Sequence, residues 1–268
     1  MEMDFEVKEL VEELTSVKNA RVKEWKKLQT GKGRKQQGRY LLEGWHLVNE
    51  ALQADRGLHE LIGTKEELAA HPDIVARFKE VYSVTPAIMA AVTETVTPQG
   101  IMVVADLPDL HQVATDLSGA WLFLDRVQDP GNVGTMVRTA DAAGFAGVVA
   151  GDGSADLFSP KVVRSMQGSQ FHLALYKGDL KKWFEDVKQA GYPVYGTQLN
   201  PAAKDFRIVT PQGGFALVMG NEGRGMSEEL LKQTTTNLYI PMRGQAESLN
   251  VAVSAGILMF ELADALNG

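Results

Sequence analysis

Trp121-Leu122-Phe123-Leu124-Asp125-Arg126-Val127 is a nearly continuous apolar run that ends in Asp129-Pro130-Gly131-Asn132-Val133-Gly134 and gives way to a helical stretch over 135–143, closed by Gly144. Such a run fits a strand buried on both faces, and strand, glycine turn, helix is the repeating unit of a parallel α/β sheet. The unit recurs on the C-terminal side. Strands are expected at 147–151 (GVVAG), 171–176 (FHLALY), 193–199 (PVYGTQL), 215–220 (FALVMG) and 237–242 (NLYIPM). Between them, Ser159-Pro160 reads as a cap followed by a first-turn proline, 179–190 as a helix stopped by Gly191, and Ser227 as the start of a short helix with Glu228 and Glu229 at its positive end. The last helix, 248–266, is apolar nearly all round through Phe260, so it must be covered on more than one side.

The N-terminal side has a different texture. A short basic helix is expected over 19–28, then TGKGRKQQG (30–38) as a flexible basic loop. Strand 40–44 runs into helix 45–54, and short apolar strands follow at 58–63, 81–84 and 101–105, with helices between them. The polar stretch DLPDLHQVATDLSG (106–119) carries a linker, set at 108–119 between a small α/β domain (1–107) and the parallel-sheet domain (120–268).

Composition limits the chemistry. The 268 residues are 44% hydrophobic and 23% charged, with no cysteine, which removes disulfides and thiolate chemistry and fits a reducing cytoplasmic setting. Five scattered histidines form no HExxH-type pair, so no metal site is expected. The N-terminal MEMDFEVKELVEEL is acidic and periodic, unlike a signal peptide, and no apolar run approaches a membrane span. The net charge of −7 conceals an asymmetry. Between Val17 and Arg39 nine basic residues (Lys18, Arg21, Lys23, Lys26, Lys27, Lys32, Arg34, Lys35, Arg39) face one acid, Glu24: a local +8 that leaves the remainder at −15. That stretch is either a phosphate-binding patch or a solvated helix face and loop.

Ligands of open α/β sheets bind in loops at the carboxyl ends of strands. Three such loops carry polar residues that packing does not require: 129–134 with Arg138 one turn further on, 220–225 (GNEGRG) and 243–250 (RGQAESLN). Asn132 also suits a turn, Glu222 a solvated loop and Ser248 a helix N-cap. Asn250 is expected in the first turn of an apolar helix, where a buried amide is costly unless hydrogen-bonded. At successive strand ends the set reads as one site. GKGRKQQG lacks the ending of a P-loop, Gly151-Asp152-Gly153 lacks the third glycine of a dinucleotide fingerprint, and no Gly-x-Ser-x-Gly elbow occurs.

The ordered segments NVGTMVRTADAAGF (132–145), LVMGNEGRGMSEEL (217–230) and IPMRGQAESLNVAVSAGILMFEL (240–262) resemble motifs 1, 2 and 3 of the SpoU/TrmH RNA 2′-O-ribose methyltransferases of the SPOUT class. KNARVKEWKKL (18–28), RYLLEGWHLVNEAL (39–52) and TPQGIMVV (97–104) are similar to the small, ribosomal-protein-like substrate-binding domain of the ribosomal-RNA members. The resemblance implies a trefoil knot in the C-terminal domain, an exception to the rule against threaded chains. It implies S-adenosylmethionine held by Thr197, Gln198, Leu199, Gly220, Ile240, Pro241, Met242 and Leu249. Catalytic positions would be Asn132, Arg138, Glu222, Ser248 and Asn250. Lys18, Lys23, Lys32, Arg34, Lys35 and Arg39 would contact RNA, ribosomal RNA being favoured over tRNA. The family dimerises through the knotted domain, with the motif 1 arginine acting near the partner's cofactor. A guanidinium stays protonated, so Arg138 suits holding the acceptor oxygen or an adjacent phosphate rather than taking its proton. The rival expectation is an inactive RNA-binding scaffold of the same fold.

Overall fold

The computed structural model describes residues 11–198 and 200–267, so Leu199 lies outside the described residues. In chain order the elements are β1 (Val11–Leu14), α1 (Ala20–Lys27), α2 (Gly31–Gln37), β2 (Arg39–Glu43), α3 (Trp45–Gln53), β3 (Leu58–Gly63), α4 (Lys65–Ala70), α5 (Pro72–Val75), β4 (Glu80–Val84), α6 (Pro86–Val92) and β5 (Ile101–Asp106). They continue with β6 (Gly119–Leu124), α7 (Pro130–Ala142), β7 (Gly147–Gly151), α8 (Pro160–Met166), β8 (Ala174–Gly178), α9 (Leu180–Gln189), β9 (Val194–Gly196), β10 (Lys204–Asp205), β11 (Gly214–Met219), α10 (Glu228–Leu231), β12 (Thr236–Tyr239) and α11 (Val251–Asn267). The chain divides into two compact units. One holds the described residues up to Pro108 together with Phe158–Phe171, the other Asp109–Leu157 and His172 onward.

The first unit is built on a mixed sheet of order β1-β4-β3-β5-β2, in which β5 runs antiparallel to β2 and β3. Trp25, Ile62, Ile88 and Met102 belong to its core. Phe158 packs edge-on against Tyr40 with ring centroids 4.8 Å apart, and Arg164 of α8 pairs with Glu43 at 3.7 Å. The expected loop 30–38 is instead the helix α2. Thr30 caps it by accepting from Gly33 N–H at 3.1 Å, and Gly38 closes it in the left-handed region (φ +63°). Gly33 has no substitute, because a Cβ there would lie 1.9 Å from the Lys27 carbonyl oxygen. Turn-like composition therefore served as caps and a close helix–helix approach.

The same region corrects one expected RNA contact. Arg34 is 3% exposed, and its Nη1 donates to the carbonyls of Leu28 and Gln29 at 2.9 and 3.0 Å, closing the carboxyl end of α1. Its charge is engaged inside the unit and does not face solvent. Arg21 and Arg39 also serve the fold: each lies 3.2 Å from the carboxylate of Glu60, which is 2% exposed and accepts from Trp25 Nε1 at 2.7 Å. A buried carboxylate is costly unless paired in this way. Lys18, Lys23, Lys32 and Lys35 are exposed.

The second unit is an all-parallel sheet of order β10-β12-β9-β11-β6-β7-β8. Every residue of β7 and β11 is buried, as continuous apolar runs require. Phe123, Val149, Phe184 and Val218 form much of its core. α7 begins at Pro130, earlier than expected, because Asp129 caps it by accepting from Asn132 N–H at 2.8 Å. α11 begins at Val251 and not at Ser248. The N-cap is Asn250, whose Oδ1 accepts from Ala252 and Val253 N–H at 2.9 and 3.2 Å. Its amide is exposed, so the expected penalty of a buried one does not arise. Ala255, Leu258, Met259 and Leu262 are buried on one side of α11, while Val253, Ile257 and Phe260 remain 52%, 39% and 49% exposed. Among the described residues no helix is long and apolar enough to cross a membrane.

Candidate active site

Strands β6 and β11 are neighbours, so their carboxyl-end loops emerge side by side. Those loops are tied together. Asp125, 4% exposed, accepts from Ser227 N–H at 2.6 Å, and Asn221 Nδ2 donates to the Arg126 carbonyl at 2.9 Å. Asn221 Oδ1 also accepts from Gly223 and Arg224 N–H, both at 3.1 Å, which folds 221–225 into a tight turn. Gly220 is dictated by that turn: a Cβ would sit 2.3 Å from the Met226 nitrogen.

The turn delivers Glu222 to the start of α7. Its Oε1 accepts from Asp129 N–H at 3.0 Å and from Asn132 Nδ2 at 3.2 Å, and its Oε2 from Gln128 N–H at 3.2 Å. Burial pushes this carboxyl upward, but the N–H donors of its own backbone, Asp129 and Gln128, with the Asn132 amide, outweigh it and hold the pKa below its ordinary 4.5. Asn250 Nδ2 donates to Asn132 Oδ1 at 3.1 Å. Asn250 at the start of α11, Asn132 in the first turn of α7 and Glu222 in the turn after β11 thus form one hydrogen-bonded chain. The orientation of each amide follows from it, since Asn132 accepts with its oxygen and donates with its nitrogen.

Beside this chain lies a pocket of about 510 Å³. Its walls come from the ends of β9, β11 and β12 and the first turns of α11, and include Thr197, Gly220, Glu222, Ile240, Pro241, Met242, Ser248 and Leu249. Gln198 does not line it. Arg138 does not either: it is exposed on α7, six residues beyond Asn132, and has no hydrogen-bond or ion-pair partner among the described residues. The sequence reading missed the pocket-lining Tyr239, Glu247, Ser254 and Leu258. Leu258 carried a signal, since it sits two turns along the apolar helix on its buried side.

The lining suits S-adenosylmethionine. Met219, Leu238, Leu249 and Leu258 offer apolar surface for a flat base, while Glu222 and Glu247 offer negative charge to a sulfonium or an ammonium. Of the lining residues, Met242, Glu247, Ser248 and Leu249 have backbone N–H and C=O groups without a hydrogen-bond partner among the described residues, so polar backbone is available along one wall.

Comparison with known proteins agrees with this geometry. Residues 119–260 match the SpoU rRNA methylase family, and residues 19–103 match the MRM3-like substrate binding domain. The chain is 44% identical to the 23S rRNA (guanosine(2553)-2′-O)-methyltransferase RlmP of Bacillus subtilis, over 94% of this chain and 99% of that one. The AdoMet-bound rRNA methyltransferase from Sinorhizobium meliloti superposes with a TM-score of 0.84 at 30% identity, covering 96% of this chain and 99% of the other. The SpoU methyltransferase AviRb from Streptomyces viridochromogenes, in complex with AdoMet, gives 0.81 at 25% identity over 92% and 98%. With a chain-length relative at this identity and a family match over more than half its residues, the protein belongs to the SpoU rRNA methylase family.

Proposed function

We propose that the protein transfers a methyl group from S-adenosylmethionine to a ribose 2′-hydroxyl of RNA, with 23S ribosomal RNA as the substrate. The observation that carries this reading is the Asn250–Asn132–Glu222 chain at the edge of the 510 Å³ pocket. S-adenosylmethionine supplies an already activated methyl group, so the protein's task is placement of donor and acceptor in line. The pocket walls hold the donor. Glu222 fixes Asn132, Asn132 fixes Asn250, and Ser248 stands at the same rim. Ribosomal RNA is favoured because the chain-length relatives named above are rRNA enzymes and the first unit matches a substrate-binding domain.

The reading includes a homodimer and a knotted C-terminal region in the cytoplasm. Val253, Ile257 and Phe260 repeat at helical spacing on the open side of α11, the face that an all-round apolar helix has to cover. α7, which carries Arg138, packs against that helix. A second copy docked there supplies Arg138 of the partner subunit to the acceptor side of the pocket, where its guanidinium steadies negative charge developing on the 2′-oxygen. Lys18, Lys23, Lys32 and Lys35, with the half-exposed Arg39, form the RNA-facing patch of the first unit.

Methyl transfer from labelled S-adenosylmethionine to a 23S rRNA fragment tests the reading, with DNA of the same sequence as control. RNA is expected to be labelled and DNA not. Equal labelling of both, or of neither, overturns it.

A further inference from the structure

Next to the pocket lies a second cavity, of about 210 Å³, lined by Arg126, Gln128, Asn221 and Arg224. No acid lines it. Arg126 stands in the left-handed region (φ +57°), a backbone state that a side chain of its size rarely adopts and that the surroundings must enforce. They do so on three sides. Its carbonyl accepts from Asn221, its Nε donates to Asp125 Oδ1 at 3.1 Å, and its stem lies against Gly153, where an added Cβ would come within 3.1 Å of Cγ. That leaves the two terminal nitrogens of the guanidinium without a partner among the described residues. Arg224, held in place by its N–H to Asn221, likewise has no side-chain partner among them. Glu222 makes no ion pair with either arginine: its carboxylate accepts from Gln128, Asp129 and Asn132, with Asn221 Nδ2 at 3.5 Å.

Arg126, whose charge is met on one side by Asp125 at 3.1 Å, and the exposed Arg224 bring guanidinium nitrogens to one cavity whose lining contains no carboxylate, an arrangement that favours an anion. Their planar forks match phosphate oxygens, and the Gln128 and Asn221 amides add further polar contacts. We propose that this cavity binds a backbone phosphodiester of the acceptor RNA strand, through Arg126 and Arg224. The proposal rests on the methyl-transfer reading of the neighbouring pocket. A ribose that presents its 2′-hydroxyl to the Asn132 side carries a phosphodiester on the adjacent 3′ carbon, so a phosphate site beside the cluster fixes which hydroxyl arrives. The other anion with access is the carboxylate of the cofactor, and the test separates the two.

Arg224→Glu, Arg224→Lys and Arg126→Asn are measured in the full-length protein, asparagine being chosen because it tolerates a positive φ. Binding of a 23S rRNA fragment is followed against salt, and S-adenosylmethionine binding by calorimetry. Arg224→Glu is expected to weaken RNA binding about tenfold and to lower the slope of log affinity on log salt by about 0.7–0.9. Arg224→Lys is expected to keep most of the slope, and cofactor affinity to stay within about twofold throughout. RNA affinity and slope unchanged in Arg224→Glu overturn the proposal, as does a cofactor affinity that falls instead. Should Arg126→Asn fail to fold, the exposed Arg224 variants still decide. A wild-type protein that binds RNA through Arg224 but transfers no methyl group refutes the methyl-transfer reading and leaves the phosphate site standing.

Discussion

The basic segment 18–39 of the first unit and the polar loops of the second are both dense in polar residues, and folding sorts them in opposite directions. In the basic segment it disperses a uniform signal. Arg34 turns inward to close a helix, Arg21 and Arg39 flank the buried Glu60, and the lysines remain outside. In the loops it gathers scattered residues: Asn132, Glu222 and Asn250, up to 118 positions apart, become one hydrogen-bonded chain. The difference lies in what each side chain can reach. A guanidinium has a flat fork that can satisfy two carbonyls or a carboxylate inside a unit, whereas an ammonium is a strongly hydrated point charge that stays in water. Loops at the carboxyl edge of a parallel sheet have no such choice, because the topology places all of them together.

The largest expected effect breaks the second region without disturbing its pocket. Arg138→Ala should lower methyl transfer by at least ~100-fold, the scale of losing one donor to developing negative charge, with S-adenosylmethionine affinity within a few-fold. Turnover assays paired with calorimetric binding check this, and near-normal turnover would remove Arg138 from the acceptor side.

Next comes the division within the basic segment. Arg34→Ala should cost about 2 kcal/mol of stability, since it leaves the Leu28 and Gln29 carbonyls unpaired in a buried place. Lys32→Ala with Lys35→Ala should change stability by less than about 0.5 kcal/mol yet flatten the salt dependence of RNA binding. Denaturant melts and salt titrations of the two proteins should therefore give mirror-image results. Equal stability losses would show that the lysines, too, belong to the fold.

Asn250→Ala removes both a cap and a link in the chain. A loss of about 1 kcal/mol is expected from the cap alone, together with weaker cofactor binding. Asn250→Asp, which keeps the acceptor for Ala252 and Val253 but cannot donate to Asn132, should restore stability and not cofactor affinity. Thermal melts and calorimetry on the two variants separate these roles.

The smallest effect is the pH response of Glu222. Its folded-state pKa lies below the ordinary 4.5, so its contribution is complete above that value and fades as pH falls through the folded-state pKa. The melting-temperature gap between wild type and Glu222→Gln should be constant from pH 7 to 5 and shrink below about 4.5. A gap that stays constant down to pH 3 would mean that the hydrogen bonds to Glu222 do not depend on its charge.

Much of this molecule was legible in its sequence, for reasons that are local. Strands such as 147–151 and 215–220 are buried on both faces, so each residue reports the same environment and the run has no alternation to misread. Asn132, Glu222 and Asn250 stand out because polar groups recur after those runs. Tertiary structure decided what local pattern cannot carry. Glycine and lysine in 30–38 have the composition of a loop, and only the approach of α2 to the Lys27 carbonyl makes Gly33 part of a helix. Arg34 differs from Lys35 in its burial and not in its charge, and that depended on two carbonyls left open at the end of α1. Arg126 ends an apolar run and reads as ordinary punctuation. Its left-handed backbone, and the cavity it shares with Arg224, exist because β6 and β11, whose paired residues are 95 positions apart in sequence, lie side by side in the sheet. Sequence records which groups need partners, and the fold assigns the partners, because hydrogen bonds and burial depend on distances that only packing sets.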